Sequence, residues 1–275
     1  MTLPTFNGSS RIDSWLKYLP KTDGEVVGNY AHSIDVKVMD FIINFNTQED
    51  GLHPLGILIT PELKRILERD KKVNIAYPFF AFAVAQVQVE PRNFPYIEKK
   101  IEKVSLRENS QRLFNTISSF GRPSDVSITY LRRSENRFSK PVLGLCMNLK
   151  RNRWVNLDEH VSLFGCGQGL TPSWDDFCVG LLLGDRVFKS NAIFVGKNFF
   201  RDIRPKTTLT SFWQLKFAEV GKMSLLYERL MSKLQLSKLS AAEMVKCINF
   251  GHSSGTDILC GIHAFLNNFL LAYPS

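Results

Sequence analysis

The first third of the chain alternates between apolar and polar residues, which is the spacing of a half-buried β-strand. Residues 33–42 form the longest run of this kind, and residues 83–89 form another. Residues 56–59 and 73–77 are short apolar segments with prolines near their ends, as is typical of strands that stop at turns. We therefore predict a mostly antiparallel β unit here, interrupted by one helix over residues 61–71.

The pattern changes near residue 97, where apolar residues begin to recur every three or four positions, the period of an amphipathic helix. Only residues 191–196 favour a strand after this point. The sequence thus predicts an α+β protein, with a β-rich N-terminal domain at 1–110 and an α-helical bundle at 111–275. The predicted helices cover residues 97–120, 124–133, 141–150, 173–188, 208–221, 223–234, 240–250 and 254–273.

The amino-acid composition excludes several classes of protein. With 275 residues and 44% hydrophobic residues, the chain has enough apolar material for a folded core, unlike a disordered protein. Five scattered cysteines are too few for a disulfide-stapled scaffold. The N-terminus has no signal-peptide pattern, and no apolar stretch approaches the length of a membrane span. We therefore expect a cytoplasmic protein without a membrane partner.

The net charge of +9 is concentrated in the middle of the chain, since residues 122–206 contain 14 basic and 8 acidic residues. A basic region suggests nucleic acid only when a groove-binding or base-stacking motif accompanies it. The sequence contains no such motif, so we expect no nucleic-acid partner. A solvated basic face, or attraction of a small anion or an acidic partner protein, remains open.

A glycine-rich segment precedes the predicted helix at residues 173–188, with the sequence Gly-Cys-Gly-Gln-Gly-Leu-Thr-Pro-Ser-Trp-Asp-Asp over residues 165–176. Either Thr171 followed by Pro172, or Ser173 with Asp176 three places later, marks the start of the helix. Free N–H groups at a helix N-terminus, preceded by flexible glycines, favour the binding of an anion. The segment lacks the Gly-Lys-Ser/Thr of a phosphate loop and the dinucleotide fingerprint, so it does not indicate a nucleotide.

A second helix start, at residues 251–262, repeats this pattern. Ser254, Asp257 and Gly261 occupy the positions that Ser173, Asp176 and Gly180 occupy in the first. In each copy the aspartate is expected to complete a capping box with its serine, and the glycine to allow another helix to approach closely. We predict that the two helices pack together at Gly180 and Gly261 and that their N-termini converge on one polar site. The alternative is a helix-packing device without a ligand.

The two starts supply most of the candidate functional residues. As catalytic groups that orient an amide or organise the site, we select Asp175, Asp176 and Asp257. We expect no resident metal, although these carboxylates with His252 leave Mg²⁺ as an alternative. Cys166 lies in the glycine loop, but no neighbouring histidine supports a role as nucleophile. The predicted anion-binding residues are Gly167, Gly169, Thr171, Ser173, Thr207, Thr208, Ser211, His252, Ser253, Ser254, Gly255 and Thr256.

Three blocks of these residues resemble a bacterial family of unknown-function domains that includes the AllH-type subunit of oxamate carbamoyltransferase. The blocks are Gly167–Asp176, Thr207–Ser211 and Gly251–Asp257, and a His-Ser pair at residues 32–33 also fits the family. The sequence departs from the family at Trp174, where glycine is usual, and at Cys166. The tryptophan is expected to narrow the pocket or change its ligand.

The resemblance implies a subunit that works with two larger partner subunits in anaerobic allantoin breakdown. Their complex would transfer a carbamoyl group between phosphate and the nitrogen of oxamate, and a carbamate kinase would use the carbamoyl phosphate. The expected ligand is therefore carbamoyl phosphate, phosphate or an oxamate-like anion. Whether this chain is itself catalytic stays open, with a non-catalytic assembly or regulatory subunit and a stand-alone anion-binding protein as alternatives.

Overall fold

The computed structural model describes residues 5–10, 21–83, 85–91, 103–152, 154–167, 169–236 and 239–272. The chain divides into two compact units. The first comprises Met1–Tyr96 with Ser224–Leu226, and the second comprises Ile97–Met223 and Tyr227–Ser275. Strands dominate the first unit and helices the second, which confirms the predicted α+β class and the order of its two parts.

The first unit is a closed eight-stranded barrel with the strand order β1-β5-β4-β3-β2-β6-β7-β8. Most neighbours are antiparallel, but β4 with β5 and β1 with β8 are parallel, and the second of these pairs closes the barrel. A helix, α1 (Pro61–Leu67), begins at Thr60, whose side chain accepts a hydrogen bond from the Leu63 amide as predicted. The strands are β1 (Thr5–Ser10), β2 (Thr22–Asn29), β3 (Ser33–Val38), β4 (Phe41–Asn46), β5 (Gly56–Leu58), β6 (Lys72–Ala76), β7 (Phe79–Ala81) and β8 (Gln86–Pro91).

The prediction of one strand over residues 33–42 is wrong, because the segment turns back on itself. β3 ends at Val38 and β4 begins at Phe41, and the two pair antiparallel. Met39 forms the turn with a φ of 53° and is largely exposed. A positive φ is unusual for methionine, and no glycine, proline or asparagine marks this turn in the sequence. The only signal in the sequence is Asp40, a residue type common in turns, which stands where the alternation would place an apolar residue.

The described residues after residue 97 form nine α-helices, a 3-10 helix (Leu157–Leu163) and a small parallel sheet. The predicted helix at 254–273 is an α-helix only to Phe265 and continues as a π-helical turn, Leu266–Leu270. None of the helices in the described part of the chain is long and apolar enough to cross a membrane. The helices are α2 (Lys103–Phe120), α3 (Asp125–Arg132), α4 (Ser139–Asn152), α5 (Ser173–Val187), α6 (Phe199–Ile203), α7 (Leu209–Glu219), α8 (Leu225–Leu236), α9 (Ala241–Ile248) and α10 (Ser254–Phe265), and the strands are β9 (Val155–Asn156) and β10 (Ile193–Phe194).

Helices α5 and α10 cross at the glycines that the repeat predicted. A Cβ atom on Gly180 would lie 2.0 Å from the carbonyl oxygen of Ile258, and one on Gly261 would lie 2.1 Å from that of Phe177. Phe177 and Ile258 each follow the aspartate of their own motif. The glycine of each motif therefore contacts the same position of the other motif. This confirms the predicted crossing, and only glycine allows the two backbones this distance.

We predict that replacing either crossing glycine by alanine separates α5 from α10. Because the neighbouring atoms are backbone carbonyls, Gly180→Ala should lower the free energy of unfolding by at least about 2 kcal/mol, as measured by urea denaturation. Gly144→Ala is the matched control, since nothing lies within 4 Å of a Cβ at this glycine inside α4. It should raise the stability by about 0.5–1 kcal/mol. Equal changes in the free energy of unfolding for Gly180→Ala and Gly144→Ala would contradict a close crossing of α5 and α10 at Gly180.

Candidate functional site

The N-termini of α5 and α10 converge, as the repeated motif predicted. Thr171 Oγ1, just before α5, lies 2.6 Å from Oγ of Ser254, the first residue of α10. Both residues are partly exposed, whereas Asp176 and Asp257 in the first turns of the two helices are almost completely buried. The site therefore has two layers, with a pair of hydroxyls at the surface and a pair of carboxyl groups beneath it.

The predicted capping boxes are wrong. Pro172 precedes α5 and Ser253 precedes α10, and neither helix has a side-chain hydrogen bond at its cap. The Asp176 carboxylate instead accepts a hydrogen bond from Thr171 Oγ1 at 3.0 Å. The prediction failed because an aspartate in the first turn of a helix is also the usual partner in a capping box. In this structure the Asp176 side chain faces α10 instead.

The serine hydroxyl of each motif forms a hydrogen bond with the aspartate of the other helix and lowers the pKa of that aspartate. Burial raises the pKa of Asp176 well above its usual range and the neighbouring Asp257 carboxylate raises it further, while the hydroxyls of Ser254 and Thr171 act in the opposite direction. Two carboxyl groups of raised pKa in one buried place favour a form that retains a proton near neutral pH. The acids beneath the hydroxyl pair thus carry less than their full negative charge.

Asp257 has donors from a third helix. Burial raises the pKa of Asp257 to about 7, while hydroxyls including those of Ser124, Ser173 and Ser127 lower it. Ser124 caps α3 and its Oγ lies 2.5 Å from Oδ1 of Asp257. Sequence analysis missed Ser124 and Ser127, although their Ser-x-x-Ser spacing at the start of a helix is the signal of the capping box that they form.

One oxygen of each carboxyl group has no donor at normal hydrogen-bond geometry, although the Ser254 hydroxyl interacts with Asp176 and the Ser173 hydroxyl with Asp257. Oδ1 of Asp176 and Oδ2 of Asp257 are buried and accept no hydrogen bond of normal geometry from the described residues. Buried polar atoms in folded proteins are nearly always paired, so such an exception needs a physical explanation. Here the two exceptions occur at equivalent positions of the repeated motif.

Asp175 faces away from this pair. Its Oδ1 accepts a hydrogen bond from the Gly165 amide at 2.9 Å, and its Oδ2 accepts one from Thr207 Oγ1. Burial raises the pKa of Asp175 to about 6, whereas the Thr207 and Gly165 donors lower it. Asp175 therefore links the glycine loop to the segment before α7.

The glycine loop adopts backbone angles that suit glycine. Gly167 has a φ of 134° and Gly169 a φ of 99°, and a Cβ on Gly167 would lie 2.3 Å from the Ser173 amide nitrogen. Gly169 and Leu170 are exposed. The backbone of the loop therefore passes directly over the start of α5, where its amides can approach a ligand.

Residues Thr207–Ser211, the second block that resembles the AllH family, form the N-terminal cap of α7. The Thr208 side chain accepts a hydrogen bond from the Ser211 amide and starts α7. Ser211 is buried, and its Oγ has no partner among the described residues. Thr207 connects this block to α5 through its hydrogen bond to Asp175.

Arg122 holds the loop before α10, and sequence analysis did not select it. Its guanidinium donates to the carbonyl oxygens of Gly251 and His252, and its backbone N–H donates to Thr256 Oγ1 at 2.8 Å. Gly255 lies so close to α9 that a Cβ would be 2.0 Å from the Cys247 carbonyl oxygen. Arg122 is exposed, so its guanidinium places a positive charge at this edge of the site.

Trp174 belongs to the core rather than to a pocket wall. Its side chain is fully buried and stacks on Phe138 with ring centroids 6.1 Å apart, close to the rings of Phe164 and Phe177. The expectation that this residue narrows the ligand pocket is therefore not supported by its position. Cys166 is partly exposed in the loop, and its carbonyl accepts from the Trp174 amide.

Within the described residues, no group of three or more His, Cys, Asp or Glu side chains is arranged to hold a metal ion. The three candidate carboxylates do not form one ligand set, because Asp175 faces Gly165 and Thr207 while Asp176 and Asp257 face each other's helices.

Comparison with known families bears on the same region. Residues 163–266 match the model of the family described as oxamate carbamoyltransferase subunit AllH. The family resemblance is confirmed over this range. The match contains the glycine loop, the block at Thr207–Ser211 and the whole of α10, and it leaves out residues 32–33. No curated protein and no solved structure matches the chain.

The raised pKa of Asp257 predicts a pH-dependent stability. Between its unfolded value near 3.9 and its folded value of about 7, the folded state binds more protons, so stability falls as pH rises through this range. One such group contributes a slope of at most about 1.4 kcal/mol per pH unit. Urea denaturation of wild type and Asp257→Asn from pH 4.5 to 7.5 should give a shallower fall for the variant. Parallel profiles would contradict the buried titration.

Proposed function

We propose that this chain is a subunit of a carbamoyltransferase complex and that it binds a small anionic metabolite where the N-termini of α5 and α10 converge. The observation that carries the proposal is that the residues matching the AllH family model contain the whole glycine loop and the start of α10. The family description concerns a carbamoyltransferase subunit, and the predicted substrates of such a complex are carbamoyl phosphate and oxamate.

The geometry supports an anion despite the two acids. Fully ionised carboxylates would repel phosphate, but burial keeps the pKa values of Asp176 and Asp257 high, so the pair retains a proton. Two helix N-termini and the exposed loop at Gly169 supply positive dipole character and N–H groups. Arg122 adds a full positive charge at the edge.

The proposed roles follow from this arrangement. The loop amides near Gly167 and Gly169, together with Arg122, bind the anionic end of the ligand. The hydroxyls of Thr171 and Ser254 contact its polar centre, and Asp176 and Asp257 orient it from below. Since transfer requires an acceptor and a donor substrate to meet, the two larger partner subunits would complete the reaction centre.

A non-catalytic assembly subunit is the second candidate. The observation that favours it is the complete burial of Asp176 and Asp257, which connect α5 and α10 in the manner of a structural pair. In that case the site would hold the helices together, and ligand binding would belong to the partners.

We predict that the purified chain binds carbamoyl phosphate and that Arg122→Gln weakens the binding about tenfold, or roughly 1.4 kcal/mol, by removing the charge and loosening residues 249–252. Isothermal titration calorimetry measures both values. Arg132→Gln is the charge-matched control, because Arg132 is exposed on α3 and its change should leave affinity unaltered.

Assays of carbamoyl transfer, with the chain alone and with both partner subunits, separate the candidates. Binding by the chain with turnover only in the complex is the expected result. Assembly and full turnover with Asp176→Asn would instead favour the structural subunit. Turnover by the chain alone would contradict the subunit proposal, and absence of ligand binding in every combination would contradict the anion site.

A further inference from the structure

Three large apolar side chains are exposed near the small parallel sheet of the second unit. Trp154, just before β9, and Phe194, in β10, are 54% and 56% exposed, and Met147 on α4 is 47% exposed. Exposed apolar residues are ordinary when they are scattered singly, whereas a contiguous patch of them marks an interaction site. Whether these three residues share one face therefore decides what they indicate.

The sheet directs Trp154 and Phe194 to the same side. Val155 of β9 and Ile193 of β10 are paired in register and both are buried, and the Val155 amide donates to the Ala192 carbonyl at 2.8 Å. Side chains alternate between the two faces along a strand, so the residue before Val155 and the residue after Ile193 both point away from the core. The two aromatic rings thus lie on the outer face of this sheet.

Helix α4 brings Met147 and two basic residues to this face. Arg151 lies four residues after Met147 and three before Trp154, and Lys150 lies three after Met147. These spacings place side chains on one side of a helix. Both basic side chains are exposed, and α4 ends two residues before the tryptophan. We call the surface formed by Met147, Lys150, Arg151, Trp154 and Phe194 the β9–β10 face.

The segments that form this face carry much of the positive charge of the chain. Residues 139–156, from the start of α4 to the end of β9, contain four basic residues and no acidic residue, and residues 189–198 around β10 contain two basic residues and no acidic residue. In the 3-10 helix that follows β9, Glu159 is exposed and Asp158 accepts a hydrogen bond from the Gly196 amide at 3.1 Å. The β9–β10 face therefore combines exposed apolar side chains with a net positive charge.

This combination favours one kind of partner. A second copy of the chain would bring two positively charged faces together, and like charges across an interface oppose association. A partner with acidic side chains around an apolar one matches both properties, because an interface has an apolar core and a polar rim. Tryptophan and arginine are also among the side chains that contribute most to binding energy at protein interfaces.

We propose that the β9–β10 face is the docking surface for an acidic segment of a partner protein. An apolar side chain of the partner packs on the rings of Trp154 and Phe194, and Asp or Glu side chains of the partner pair with Lys150 and Arg151. This surface goes beyond the proposed function and also rests on it, because the proposed function supplies the partner subunits.

The β9–β10 face and the proposed anion site lie at opposite ends of α5. The Ala192 amide, next to β10, donates to Asp185 in the last turn of this helix, whereas the glycine loop passes over its first turn. A partner docked on the face therefore leaves the glycine loop accessible. Substitutions in the face test docking without changing the residues assigned to the ligand.

Assembly with the two larger partner subunits tests the docking surface. Trp154→Ser and Phe194→Ser should each weaken the affinity of the chain for the partners at least tenfold, as measured by biolayer interferometry, because each removes a ring from the contact. Melting temperatures should stay close to the wild-type value, since both rings are more than half exposed. Val220→Ser is the matched control, because Val220 is 64% exposed just after α7 and lies outside this face. It should leave the affinity unaltered.

The acidic character of the partner has a test of its own. Arg151→Glu should weaken the affinity at least tenfold, since it places a negative charge opposite acidic side chains, whereas Arg132→Glu on the exposed side of α3 should have little effect. Added salt should weaken the binding of the wild-type chain more than that of Arg151→Glu, because screening removes an attraction that the variant lacks.

The outcomes separate the docking surface from the proposed function. A wild-type chain that joins the partners, with Trp154→Ser and Phe194→Ser joining equally well, would overturn the docking surface and leave the subunit proposal intact. A wild-type chain that joins no partner would overturn both. Equal effects of Arg151→Glu and Arg132→Glu would overturn the acidic partner. The acidic partner would also be overturned if Trp154→Ser abolished self-association of the chain or its binding to a single-stranded oligonucleotide, since the face would then have another occupant.

Discussion

The close crossing of α5 and α10 is the constraint on which the site depends. Gly180 and Gly261 let each helix backbone contact the carbonyl of the residue after the other helix's aspartate. This contact fixes the distance between the two first turns, and it brings two carboxyl groups into a buried place that neither would occupy alone. Loss of water raises the pKa of both groups, and the neighbouring Asp257 carboxylate raises the pKa of Asp176 further.

The site combines features that would conflict if they were fully charged. Helix N-termini and a basic edge attract anions, whereas carboxylates repel them. Burial resolves this conflict, since a retained proton lowers the negative charge and leaves oxygens able to accept hydrogen bonds. The repeated motif therefore produces a polar centre with positive dipole character around it, as the proposed anion site requires.

The sequence predicted the fold class, most helices and the crossing of α5 with α10, because these depend on local periodicity and on a repeated pattern. It failed where tertiary contacts override local preference. The chain reverses at Met39 within a segment whose largely alternating pattern favours one strand, and the first-turn aspartates accept hydrogen bonds from outside their own cap. Ser124 and Arg122 lie about 130 positions from α10, so no local pattern connects them to it.

The central proposal is that a small anion binds where the N-termini of α5 and α10 converge. A crystal structure of the chain with oxamate tests this most directly. The account predicts the oxamate carboxylate within about 3 Å of a backbone N–H of the glycine loop near Gly167 or Gly169. Oxamate bound elsewhere, or bound here with its carboxylate toward the acids, would contradict it.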